Sequence, residues 1–141
     1  MIYGFFNNYR FLSNFHLCSI PYEGLMYPST EHAFQAAKTL DPKEREFILE
    51  ASTPGRAKRA GRLITLRPDW EEVKLGIMYE VNMTKYDSYP ELKEMLLATG
   101  DEKLVEGNTW GDTFWGQVDG VGKNYLGNIL MQIRKELREG L

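Results

Sequence analysis

The chain is predicted to be an α+β protein, mostly helical, folding as a single domain over residues 1–141 with a small β element near its N-terminus. Three observations predict this. At 141 residues, with 43% hydrophobic and 26% charged residues, the chain suits one soluble, globular core. Aromatic-rich, apolar segments suited to strands concentrate in the first thirty residues. Beyond residue 28, cap-plus-proline signals recur, each opening a segment of helical character.

Taken in order, Ile2–Phe6 and Phe15–Ile20 read as short strands. Pro21-Tyr22-Glu23-Gly24 carries turn chemistry, so Leu25-Met26-Tyr27 is expected to pair back as a hairpin. Ser29 is placed as the N-cap of a helix from about Thr30 to Leu40. Asp41-Pro42-Lys43-Glu44 combines an N-cap, a proline at N1 and a carboxylate at N3, opening a helix to about Ala51. Thr53-Pro54 repeats the device for a short helix toward Gly61. Pro68-Asp69 begins another, in which Trp70, Val73, Ile77 and Val81 recur at helical spacing. Ser88-Tyr89-Pro90-Glu91 reads as a capping box for a helix stopped by Thr99-Gly100, and Lys103–Glu106 as a short strand. Trp110–Lys123 contains four glycines and no periodicity, the mark of a long loop, and such loops are often functional. Asn124 is expected to cap a last helix with a buried stripe of Leu126, Ile129, Leu130, Ile133 and Leu137, ended by Gly140.

Composition narrows the function. The formal net charge of −3 argues against a general polyanion binder, though a few clustered cations can still hold a small phosphorylated ligand. The single cysteine, Cys18, rules out an internal disulfide and a cysteine zinc cluster, and points to a reducing, cytoplasmic setting. His16 and His32 lack zinc-ligand spacing, so no metal is expected, nor any cofactor. Neither a signal peptide nor a membrane span is read in the sequence.

Several groups could carry chemistry. On the helix after Pro28, Glu31, Gln35 and Lys38 fall within about 60° of one another, with Glu31 and Lys38 about 10 Å apart along the axis. Ala33, Phe34, Ala37 and Leu40 take the other side. The plain reading is a solvated polar stripe; the functional one is a carboxylate and a lysine converging on a ligand. His32, at the stripe's edge, is of a type more often structural than catalytic when it stands alone. Asn108–Gly116 sets Asp112 between Trp110 and Trp115. Such an acid beside apolar rings can serve as a general acid, and an indole can stack on a flat base, although the tryptophans could equally seal the core. Gly120-Val121-Gly122-Lys123-Asn124 could cradle a phosphate at a helix N-terminus, or simply lead into the helix. Arg56, Lys58, Arg59 and Arg62 form either an exposed basic face or a phosphate clamp, with Lys58 and Arg62 on one side.

Taken together, these segments resemble the YbiA-like, or NADAR, family. The matching stretches are Phe11–Phe15, Tyr27–Lys38, Ala57–Arg62, Pro68-Asp69-Trp70, Trp115-Gly116 and Gly122–Arg134, in the family's order over nearly the whole chain. The resemblance implies an N-glycosidase. Family members cleave ribosylamino-pyrimidine phosphates, intermediates of riboflavin synthesis, and others remove ADP-ribose from guanine. The expected partner is therefore a small phosphorylated ribosyl substrate or an ADP-ribosylated guanine, in a nucleoside or a nucleic acid. The catalytic candidates are Glu31, Lys38 and Asp112; the acid three residues before Trp115 lies where relatives tend to carry one. Contacts to substrate are expected from Asn14, His32, Lys58, Arg62, Trp70, Trp115, Gly116, Lys123 and Asn124. Two routes stay open: carboxylate stabilisation of an oxocarbenium-like state, or ring opening with a Schiff base on Lys38. The rival from another class is a non-catalytic nucleotide- or ADP-ribose-binding module, which would not need Glu31.

Overall fold

The structure is a computed structural model that describes residues 1–140. In chain order its elements are β1 (Ile2–Tyr3), a 3-10 helix (Asn7–Leu12), β2 (Leu17–Tyr22), β3 (Leu25–Ser29), α1 (Thr30–Ala36), α2 (Pro42–Leu49), α3 (Pro54–Ala60), α4 (Trp70–Ser88), α5 (Pro90–Ala98), β4 (Leu104–Val105) and α6 (Tyr125–Arg138). Helices dominate and the strands are short, so the fold is α+β. Two compact units are formed, one by Asn14–Lys85, the other by Met1–Ser13 with the segment from Tyr86 onward.

In the Asn14–Lys85 unit, β2 and β3 form the expected antiparallel hairpin, with Tyr22 opposite Leu25. The two-residue turn is Glu23-Gly24, and both residues have positive φ, 45° and 91°. That is the twist a tight hairpin needs, and glycine supplies it without a Cβ penalty. β3 runs straight into α1. Ser29 caps α1 as expected, its hydroxyl accepting from the His32 amide. Thr53 and Asp41 cap α3 and α2 in the same way, accepting from the amides of Arg56 and Lys43.

α1 ends at Ala36, short of the expected Leu40. Lys38 and Thr39 switch to tighter i−3 bonds, to Gln35 and Ala36. Arg67 takes the carbonyls left over: its amide donates to the Lys38 carbonyl at 2.7 Å and its guanidinium to that of Ala37 at 3.3 Å. The main chain and side chain of a residue about thirty positions away thus take up the end of the helix, a long-range event that local propensity does not encode.

All seven residues of α1 are buried. The alanines at 33, 36 and 37 present no bulk, and α1 packs against α2, α3, β2 and β3. The solvated-stripe reading of this helix is thereby overturned: its polar residues lie inside the unit.

In the other unit, β1 pairs in parallel with β4, Ile2 opposite Leu104 and Tyr3 opposite Val105. The β structure is therefore not confined to the N-terminal region, since β4 comes from late in the chain. Ser88 belongs to α4, and Tyr89 sits at the N-cap of α5 without a side-chain capping bond to the helix, so the expected capping box does not form. On α6, Leu126, Leu130, Ile133 and Leu137 are buried as the stripe predicts, while Ile129 is half-buried.

Candidate active site

The residues of α1 build the candidate site. Its first turn is anchored by Asn14, whose carbonyl accepts from the Glu31 amide at 3.1 Å and from the Thr30 hydroxyl at 3.1 Å. The Asn14 side chain is spent on the same task. Its Oδ1 accepts from Thr30 and Asn82, and its Nδ2 faces the Met78 sulfur at 3.3 Å. Asn14 thus fastens the start of α1 from inside the unit, in place of the substrate contact expected of it.

His32 is fully buried and has both ring nitrogens occupied. Nε2 lies 2.8 Å from the Ala51 carbonyl, which can only accept, so Nε2 carries the proton. Nδ1 then accepts from the Ser29 hydroxyl at 2.7 Å. Burial lowers the imidazole pKa, against the pull of the Ala51 bond, and favours this neutral form. His32 ties α1 to the segment after α2; the expectation of a substrate contact gives way to a structural role.

Glu31 is 7% exposed and Gln35, one turn on, is 4% exposed. Gln35 Nε2 donates to Glu31 Oε2 at 2.6 Å. Lys38 follows just past the helix end. Its ammonium lies 5.9 Å from the centroids of both the Phe34 and Trp70 rings, which are themselves 5.1 Å apart. Burial holds the Lys38 amine below the usual lysine value; Glu31 pulls it up, and the cations Lys58, Arg62 and Lys74 push it down. One carboxylate, a half-buried lysine and three more cations therefore share one neighbourhood. Trp70, expected to stack on a base, is 7% exposed and packs against Phe34. Arg62 is exposed and lines an open recess of about 590 Å³ together with Phe47, Arg56, Arg59, Ala60 and Leu63.

The remaining candidates lie in the other unit, where the structure accounts for each locally. Asp112 Oδ1 accepts from the amides of Phe114 and Trp115 at 3.0 and 2.9 Å, which organises the loop. Trp115 is half-buried, with its ring edge-on to Phe114 at 4.8 Å. Gly116 is buried where any Cβ would run into Glu106. The start of α6 is closed by the loop itself. The amides of Lys123, Asn124, Tyr125 and Leu126 already donate to the carbonyls of Thr113, Gly116, Phe114 and Trp115. The loop itself thus caps α6, leaving those donors no anion to hold. Nor does the Asn124 side chain cap the helix; it bridges the Glu106 amide and the Leu104 carbonyl, each at 2.9 Å, from a left-handed backbone. The Lys123 side chain is exposed.

Sequence reasoning placed Gln35 on the stripe without a role and missed Lys74 and Arg67. Gln35 carried a visible signal, four residues after Glu31 on one helix face. Lys74 and Arg67 carried none, because only the tertiary fold brings them to the end of α1. Among the described residues no group of three or more His, Cys, Asp and Glu side chains could hold a metal ion, and no helix is long and apolar enough to cross a membrane.

Comparison with known proteins places the chain in a family. The model of the NADAR domain matches residues 3–138. The chain is 42% identical to N-glycosidase YbiA of Escherichia coli K12 over 134 residues, covering 93% of this chain and 83% of that protein. It is 39% identical to an N-glycosidase of Nostoc punctiforme, covering 92% and 86%. A riboflavin biosynthesis protein of Vibrio vulnificus is 40% identical over 94% of this chain, which spans only 36% of that longer protein. The NMR structure of E. coli YbiA superposes with a TM-score of 0.86 at 41% identity, covering 99% of this chain and 84% of that one. With sequence and fold matched over nearly its whole length, the chain belongs to the NADAR domain family.

Proposed function

We infer that this protein is an N-glycosidase that acts on a small phosphorylated ribosyl compound, with Glu31 and Lys38 at its catalytic centre. One observation carries the reading: a buried carboxylate and an amine of lowered pKa share one neighbourhood in the Tyr27–Lys38 motif. Four cations, Lys38, Lys58, Arg62 and Lys74, stand against Glu31 and the Glu71 paired with Lys74, which suits a phosphate-bearing substrate. The names of the relatives, N-glycosidase and riboflavin biosynthesis protein, support the bond cleaved and favour a ribosylamino-pyrimidine phosphate. ADP-ribosylated guanine is the second substrate to test, since it presents the same anomeric carbon bonded to nitrogen.

The lowered pKa of Lys38 favours the lysine route, because a larger share of the amine is neutral and nucleophilic. Glu31 in its acid form gives a proton to the ring oxygen as the carbon–oxygen bond breaks and the ring opens to an iminium at the anomeric carbon, and the Lys38 amine adds to that carbon. Glu31 takes the proton lost by that amine and delivers it to the base nitrogen. The carbon–nitrogen bond then breaks, leaving a Schiff base on Lys38 that water hydrolyses to free sugar and lysine. Arg62, at the edge of its open recess, and Lys58 are the proposed phosphate contacts.

The test is direct. Incubation with ribosylamino-pyrimidine phosphate, and separately with ADP-ribosylated guanosine, should release free base, followed by mass spectrometry. Borohydride added during turnover should leave a sugar adduct on Lys38. Release without an adduct, with Lys38→Ala still active, replaces the lysine route by carboxylate stabilisation of the oxocarbenium-like state. Tight binding of either compound without release makes the protein a nucleotide-binding module instead.

A further inference from the structure

Gly61 closes α3 with φ −62° in the ordinary right-handed region. Any residue adopts that backbone, so the glycine is not there for its conformational freedom. The reason is space: a Cβ on Gly61 would overlap Gln35 Oε1. The other end of the same amide, Nε2, donates to Glu31 Oε2 at 2.6 Å. A flipped amide would set oxygen against the carboxylate, so the orientation is dictated by Glu31. Oε1 is buried and has no hydrogen-bond partner. Leaving a buried acceptor unsatisfied is unfavourable, and it persists here because the space left open by Gly61 and the demand of the carboxylate fix the amide from both ends.

We propose that Gln35 is a positioning residue that holds the Glu31 carboxylate in its working orientation, and that the missing side chain at Gly61 is what lets it do so. The proposal rests on the reading of Glu31 as the proton-transfer group. Gln35 needs no contact with substrate. It restricts Glu31 to one rotamer and supplies a donor to one of its oxygens.

Three variants and two readouts test this. Gln35→Ala should lower kcat by about 10- to 100-fold, the scale of a misplaced proton-transfer group, with KM within about 3-fold and the circular dichroism spectrum unchanged. Gly61→Ala should reproduce much of that loss by displacing the amide. In the Gln35→Ala, Gly61→Ala double variant the second change should add little, because the group it would displace is already gone. The second readout is the carboxyl carbon resonance of Glu31, followed by NMR in the substrate-free protein. Its titration should move upward in both single variants as the donor is lost, whereas a purely structural Gln35 leaves it in place. Full activity and an unmoved Glu31 titration in Gln35→Ala would overturn the proposal, as would losses that multiply in the double variant. If wild-type protein cleaves no ribosyl substrate, the functional reading fails. The NMR titration then still decides whether Gln35 sets Glu31.

Discussion

Lys85 is fully buried on α4, and its burial has a thermodynamic signature that can be measured. Burial pushes its pKa down from 10.5 to about 8, while Cys18 pulls it up. A lysine depressed in the folded state binds fewer protons there than in the unfolded chain between those two values. Stability therefore rises with pH across that window, and the penalty applies in full below about pH 8. Its size is on the order of 3 kcal/mol, from about 1.4 kcal/mol per pKa unit. Lys85→Met should raise the melting temperature by several degrees at pH 7, with the advantage fading toward pH 10.5. An advantage independent of pH, or a loss at pH 7, refutes the assignment. The same scale governs Glu31. Glu31→Gln keeps the volume and removes the proton-transfer group, so kcat should fall by about 10³-fold with melting little changed. Turnover within a few-fold of wild type would remove Glu31 from the mechanism. The nearness of Glu31 and Lys38 was legible from their seven-residue spacing, although α1 ends before Lys38. The part played by Gln35 was not, because it depends on Gly61, a residue on another helix.

At the scale of elements, legibility followed the range of the interactions involved. The caps at Ser29, Asp41 and Thr53 were readable because each is a bond between near neighbours, made as the sequence predicts. The early end of α1 was not, since it is imposed by Arg67. The Trp110–Lys123 loop was recognisable as a loop, but not as the cap of α6. That cap is made of main-chain carbonyls, which carry no residue signature. Asp112 is the element's test case. As a loop organiser it needs only an acceptor at Oδ1. Asp112→Asn should then keep both melting temperature and activity, while Asp112→Ala loses about 1–2 kcal/mol of stability, as removal of a side-chain cap does. Activity abolished in Asp112→Asn at unchanged melting temperature would return it to the catalytic set. Trp115→Ala separates its two readings in the same way. A higher KM at unchanged stability marks a stacking platform, and a lower melting temperature at unchanged KM marks a packing residue.

At the scale of the molecule, the α+β class was legible from composition and cap signals, but the β1–β4 pair was not. Both segments were read as short strands, but their pairing joins residues about a hundred positions apart, which no local pattern reports. Charge is the other property at this scale, and it bears on whether a metal takes part. The chain carries a formal charge of −3, so its average field attracts cations weakly. The candidate site runs against that average: Lys38, Lys58, Arg62 and Lys74 stand beside Glu31 and the Glu71 that pairs with Lys74 at 2.6 Å, four cations to two carboxylates. A divalent ion placed there meets net repulsion, only partly screened because Glu31 and the foot of Lys38 are withdrawn from water. The histidines and the cysteine do not change this. Both nitrogens of His32 are engaged, and burial raises the pKa of Cys18, which disfavours the thiolate that a metal would need. Turnover should therefore be unchanged by EDTA. It should instead be competitively inhibited by pyrophosphate, a small polyanion without a base, and that inhibition should weaken as salt is raised. Arg62→Ala should relieve the inhibition and raise KM for a phosphorylated substrate while leaving kcat near wild type. Loss of activity on chelation, restored by a divalent ion, would show that the cations around Lys38 do not set the charge of the working site.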